Sequence, residues 1–183
     1  TLVMALAVAK GIRQTLRRDS EEAAAKVGIK WPNDIVVDGK KVCGILTEMS
    51  MEQGYIQHIV IGVGINVRKQ EFPEEIRDRA AAIDEQCGFR ISRSQLIADI
   101  MEAFEEDYEI FLRTHDLKGL RASYAELLVN QDREVCVLDP KGEYRGIARG
   151  INDQGELLVE RQDGTVEEVY AGEVSVRGIY GYV

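Results

Sequence analysis

Histidine and cysteine are scarce in this sequence, and with them the chemistry that depends on them. The two histidines, His58 and His115, have no ligand partner at metal spacing and make neither a zinc site nor a nucleophilic triad. The three cysteines, Cys43, Cys87 and Cys136, are odd in number, far apart and without a Cys-x-x-Cys pair. They read as reduced thiols acting as small hydrophobes, which points to a cytoplasmic location and not to a disulfide framework. No uncharged apolar run exceeds Thr1 to Ala9, against the ~20 residues that a membrane span needs. That run has no basic segment before it and no small-residue cleavage site after it, so it is not read as a signal peptide and no membrane partner is expected. Basic residues are outnumbered, 23 Lys and Arg against 32 Asp and Glu, for a net charge of −9. With no basic stripe to offset a phosphate backbone, no nucleic acid is expected as a partner of this chain.

What remains is ordinary globular composition, 45 % hydrophobic and 30 % charged over 183 residues, enough for one domain and a small appendage. The chain opens on Thr in apolar residues and reads as cut inside a helix of something larger. Leu2, Leu6, Ala9, Ile12 and Leu16 recur at helical spacing and predict a helix over residues 1–18. Extended runs follow at Val27–Trp31, Ile35–Val37 and Val42–Met49, the last two joined by an Asp38-Gly39 turn. Tyr55–Val67 is apolar nearly throughout and predicts a buried strand whose end is modified by Gly62 and Gly64. A polar loop with a short helix around Pro73–Asp84 is expected next. A Ser92–Gln95 capping box then opens a helix carried by Leu96, Ile100, Phe104, Tyr108 and Phe111, and a second helix runs over Leu117–Leu128. Beyond Val129, short alternating runs between Val135 and Ile179 are separated by turn signals and predict a small antiparallel barrel. The expected domains are residues 1–128, with 17 basic and 21 acidic side chains, and residues 129–183, with 6 and 11.

Three segments of the first domain stand out: Lys30-Trp31-Pro32-Asn33-Asp34, Lys40 to Glu48, and Ile61 to Val67. Singly, each has a plain explanation in turn chemistry, solvated charge beside a hairpin, or a bulge. A dinucleotide fingerprint is excluded, because Val67 stands where its third glycine belongs. Together the segments describe a ligand surface. Gly44, Gly62 and Gly64 leave strand backbone bare, so a flat ligand can lie against peptide groups. Lys41 and Lys30 offer point charges to carboxylate or phosphate oxygens, and Asn66 a neutral donor. An apolar slot flanked by two lysines suits a small carboxylic acid being activated by a nucleotide.

The order Lys-Trp-Pro-Asn-Asp, then Lys-x-x-Gly-Ile-Leu-x-Glu, then Ile-Gly-x-Gly-Ile-Asn-Val closely resembles the biotin–protein ligases, also called biotin–[acetyl-CoA-carboxylase] ligases. The resemblance covers the whole chain. Residues 1–128 resemble the second half of the catalytic domain. Residues 129–183 resemble the small C-terminal domain, whose typical ending is similar to Gly172-Glu173-Val174-Ser175. The implied fold is α+β: a mixed β-sheet with helices, of class II synthetase-like type, followed by an SH3-like β-barrel. The implied reaction has two steps. Biotin carboxylate attacks the α-phosphate of ATP, with Mg²⁺ assisting, to give biotinyl-5′-AMP and pyrophosphate. A lysine of the biotin carboxyl carrier protein then attacks the mixed anhydride, and AMP leaves.

By this resemblance Lys41 is the catalytic cation, and Lys41, Gly44, Leu46, Gly62, Gly64 and Ile65 line the biotin slot. Lys30, Trp31, Asn33, Asp34 and Asn66 lie toward the nucleotide, with Arg177 reaching back from the second domain. No metal ligand is identified, and a homodimer is a candidate assembly. The family's Gly-Arg-Gly-Arg-x-Gly-Arg loop does not occur in this sequence, so the chain alone is expected to be unable to make biotinyl-AMP. Two rival readings stand beside this one. A lipoate–protein ligase shares the fold and the adenylate logic. A non-catalytic biotin-binding module would keep the slot without the lysines, and both Lys30 and Lys41 are present.

Overall fold

A computed structural model describes residues 1–139, 142–171 and 175–178. Helix α1 (Leu2–Arg17) buries a nearly continuous apolar surface, with Met4 to Ala9, Ile12 and Leu16 all in the core. A short helix α2 (Glu21–Ala25) follows, and the first sheet begins directly after it. Its strands are β1 (Val27–Lys30), β2 (Asp34–Val37), β3 (Lys40–Glu52) and β4 (Tyr55–Ile65), in the spatial order β1-β2-β3-β4. All three ladders are antiparallel, because tight turns join each strand to the next and such turns connect only antiparallel neighbours. The expected mixed sheet is therefore antiparallel. Among the described residues, parallel pairing is confined to the isolated bridges Ile29–Leu128 and Lys41–Ala80.

Strand β4 departs from the buried strand that its apolar run predicts. Every residue from Tyr55 to Val60 is exposed, because β3 and β4 are much longer than β1 and β2 and their far half projects past the core. The helix expected around Pro73–Asp84 is also displaced. Two successive turns form on the Pro73 and Ile76 carbonyls, and the chain then pairs with β3: Lys41 N–H donates to Arg79 O at 2.8 Å and Ala81 N–H to Lys41 O at 2.9 Å. The helix starts only afterwards, as α3 (Ile83–Cys87).

Helix α4 (Arg93–Thr114) begins where Ser92 Oγ accepts from Gln95 N–H at 3.3 Å. The reciprocal half of the capping box is absent, since Gln95 Nε2 donates instead to Asp99 Oδ1 at 2.9 Å. The buried stripe of α4 contains two carboxylates, Asp99 and Asp107, among Leu96, Ile100 and Ala103. Both meet α1. Lys10 Nζ lies 2.5 Å from Asp107, Thr15 Oγ1 donates to Asp99 at 2.6 Å, and Arg18 engages both Asp99 oxygens. The Arg18 guanidinium holds the Asp99 carboxyl down at about 2, whereas burial pushes that of Asp107 up. These pairs, laid on an apolar interface, clamp the two helices together.

After α5 (Arg121–Leu127) the chain is stitched to the outer edge of β1, with Val129 N–H donating to Ile29 O at 3.0 Å. The second sheet holds β5 (Glu134–Leu138), β6 (Tyr144–Ile151), β7 (Leu157–Glu160), β8 (Val166–Val169) and β9 (Ser175–Gly178), in the order β8-β7-β6-β5-β9. It is antiparallel, as expected, but not the closed barrel. Its two outer strands, β8 and β9, run only four residues each, and no ladder joins them among the described residues. Gly172, Glu173 and Val174 of the family-like ending lie outside the described residues.

Candidate functional site

Directly opposed residues of an antiparallel pair share one face of the sheet. The register sets Lys30 opposite Asp34, Asp34 opposite Gly44, Gly44 opposite Gly64 and Leu46 opposite Gly62, so all of these occupy one face. The β-bulge in the β2–β3 ladder inserts one residue between Lys41 and Cys43. Lys41 and Gly44, three apart, thereby come to the same face, which strict alternation would forbid. Three separate sequence segments converge there.

The Lys41 ammonium lies 2.5 Å from Asp34 Oδ1, and the lysine side chain is 38 % exposed. It lies across Gly44: a Cβ at that position would sit 3.1 Å from both Lys41 Cε and Nζ. Gly44 thus makes room for the cation as well as for a ligand. A Cβ at Gly62 or Gly64 would meet only a backbone oxygen, at 3.7 and 3.8 Å. The surface there is bare peptide, bounded by the 66 % exposed Leu46. A cation with a counter-carboxylate, set beside a flat neutral strip, can take up one anionic group while the rest of the ligand lies on the backbone.

Other expected site residues are placed differently. Ile65 pairs with Cys43 and points to the opposite, core-facing side, so its side chain does not line the slot. Cys43 is buried there, and desolvation pushes its thiol up to about 12. Trp31 is 2 % exposed and spends its indole N–H on Gly155 O at 3.0 Å, which leaves no surface for a nucleotide. Asn33 is a stitch between strands: its Nδ2 donates to Ile45 O at 2.9 Å, and its own carbonyl accepts from Ile45 N–H at 3.0 Å. Lys30 is buried on the glycine face. Asn66 accepts from Gln70 at 3.1 Å and borders a cavity of about 380 Å³ beside Lys41, walled by Phe72, Ile76 and Arg79. Arg177 stands in β9 opposite Cys136, and its side chain lies outside what is described.

Arg79 is a further cation beside Lys41 that the sequence did not disclose. It sits in a segment that reads as polar loop, and only the nonlocal pairing of residues 79–81 with Lys41 brings it close. A further cavity of about 470 Å³ opens on the opposite side of the sheet, among Leu2, Thr47, Ile61, Phe104 and Tyr108, and no expected site residue lines it. Among the described residues no group of three or more His, Cys, Asp and Glu could hold a metal ion. No described helix is long and apolar enough to cross a membrane.

Comparison with known proteins adds the following. Residues 1–66 match the biotin/lipoate A/B protein ligase family, and residues 132–177 match the biotin protein ligase C terminal domain. The chain is 34 % identical over 178 residues to the bifunctional ligase/repressor BirA of Bacillus subtilis, covering 96 % of this chain and 52 % of that protein. It is 32 % identical over 151 residues to a biotin–[acetyl-CoA-carboxylase] ligase of Mycobacterium tuberculosis, covering 82 % of this chain and 53 % of that one. Among solved structures, the biotin protein ligase from Aquifex aeolicus in complex with biotin and ATP superposes with a TM-score of 0.76 at 28 % identity, over 97 % of this chain and 72 % of that chain. The chain spans about half the length of these curated relatives.

Proposed function

This chain is homologous to the biotin protein ligases, with part of their catalytic domain and their C-terminal domain, and from that premise we propose that it forms the biotin-holding part of a ligase that activates biotin as biotinyl-5′-AMP and passes it to a lysine of a biotin carboxyl carrier protein. The observation that carries the reading is the single sheet face on which Lys41 lies across Gly44, opposite Gly64. In the first step the biotin carboxylate attacks the α-phosphate of ATP and pyrophosphate leaves. Lys41 exchanges Asp34 for the anionic oxygens of the reacting groups and stabilises the charge that builds there. Gly44, Gly62 and Gly64 offer peptide groups to the ring system, and Leu46 covers its edge. In the second step the carrier lysine attacks the acyl carbon, the acyl–phosphate bond breaks, and AMP departs with the electron pair.

The described residues do not make a metal cage, and none is assigned to Mg²⁺, which suits ATP phosphates as its principal ligands. Reduced cysteines support a cytoplasmic location. The acid excess of these 183 residues disfavours a phosphate-backbone partner for this segment. Pyrophosphate release with ATP and either biotin or lipoate, on the complete gene product and on the 183-residue chain, tests the reading. Biotin-dependent release by the complete gene product is expected. Release with lipoate alone would move the assignment to lipoate, and no release with either acid would remove the ligase reading.

A further inference from the structure

Trp31 is the sole tryptophan of the chain and lies inside the most distinctive motif, yet its ring is buried and its polar edge points away from the glycine face. A buried indole N–H needs an acceptor, and this one finds it 124 residues away, in the turn that joins β6 to β7. That turn is internally braced. Asn152 Oδ1 accepts from the N–H groups of Gln154 and Glu156, at 3.0 Å each, and Asn152 N–H donates to Glu156 O. It is also wedged into the first unit. Leu117 N–H donates to Asp153 O at 2.8 Å, and Arg121 pairs with Asp153 at 2.8 Å. Gly155 has φ +88, and a Cβ there would lie 2.7 Å from Leu117 Cδ1 and 2.9 Å from Leu2 Cδ2. Only glycine brings this carbonyl so close to Trp31.

On the other side of Trp31 stand the residues that face the ligand surface. Asn33 is bonded to Ile45, and Asp34 holds Lys41. We infer that Trp31 is a positioning residue: through Gly155 the second sheet fixes Trp31, and Trp31 fixes the Lys30–Asp34 turn where Asp34 meets the Lys41 ammonium. The second sheet thus sets the geometry of the first sheet's site through a backbone carbonyl. The inference rests on the ligase reading only for its kinetic readout.

Two variants approach the joint from opposite sides in the complete gene product. Trp31→Phe keeps an aromatic ring, smaller by the pyrrole part of the indole, and loses the N–H, and Gly155→Ala disturbs the turn without touching the glycine face. Amide exchange is read at Ile45, whose N–H donates to Asn33 O, and steady-state kinetics are read as biotin-dependent pyrophosphate release. Both variants should speed Ile45 exchange about tenfold or more. Both should lower kcat about tenfold with the KM for ATP held within about twofold, the split expected of misplacement rather than of a lost nucleotide contact. Folded variants with unchanged Ile45 exchange would overturn the inference, as would a Trp31→Phe protein whose only change is a raised KM for ATP. Should Gly155→Ala fail to fold, Trp31→Phe alone decides. Should the wild type release no pyrophosphate, the ligase reading falls and Ile45 exchange still judges the joint.

Discussion

The two faces of the first sheet are made of the same strands and obey different rules. One face carries Ile29, Ile35, Cys43 and Ile45, all buried in a common core. The other carries Lys30, Asp34, Lys41, Gly44 and Gly64, which are charged or lack a side chain, with Leu46 bounding them. On the first face each residue is chosen for the volume it fills, and its loss leaves a cavity. On the second, the glycines are chosen for the volume they leave open, and Lys41 for a charge kept within reach of solvent. Stability and function are thus separated by the pleat of the strand, one residue apart.

Substitutions on the two faces should therefore fail in different ways. Ile35→Ala, on the filled face, is expected to cost about 2–5 kcal/mol of stability, read by denaturant unfolding, with biotin affinity of the folded protein unchanged. A stability loss no larger than that of a surface change would break the comparison. Lys41→Ala, on the open face, should reverse the pattern, with adenylate formation falling by about 10²–10³ and stability nearly kept. Near-normal adenylation would remove Lys41 from its assigned role. Gly64→Val puts a branched side chain where only backbone now stands, and should weaken biotin binding by about tenfold or more in calorimetry while the fold persists. Unaltered affinity would mean that biotin does not lie on this strip.

The smallest effect concerns the helix clamp behind the filled face. Arg18 holds the Asp99 carboxyl at about 2 in the folded protein, below its ordinary 3.8. A depressed folded value contributes stability above pH ~4 that is lost as pH falls toward ~2. Asp99→Asn should therefore cost about 1–2 kcal/mol at neutral pH, allowing for the exposed guanidinium, and next to nothing near pH 2. A cost independent of pH would show that the pair acts through shape and not through charge.

Much of this was legible from residue patterns. The spacing of Leu6, Ile12 and Leu16 predicts α1, Asp38-Gly39 predicts the β2–β3 turn, and the alternating runs beyond Val135 predict the antiparallel strands of the second sheet. These are local signals with local causes. The burial of β4 was misread because hydrophobicity reports what a strand could bury, while strand length decides what it does bury. Asp99 and Asp107 did leave a trace, two acids in phase with the apolar stripe of α4, but their partners on α1 and at its C-cap lie 81 to 97 residues away in sequence. Within the site, the three glycines and Lys41 were readable because their pattern is unusual. Trp31 was misplaced because its partner, Gly155, is distant and its motif suggested a ligand instead. A bulge that turns Lys41 onto the face of Gly44 has no signature in composition at all.

The most direct measurement is a titration of the chain with biotin, followed by backbone amide chemical shifts. Biotin lying on the bare strip should move Asp34, Gly44, Leu46, Gly62 and Gly64 and leave the amides around the opposite cavity, at Leu2, Phe104 and Tyr108, in place. Shifts gathered at that cavity, with the glycine amides still, would contradict the assignment of the ligand face.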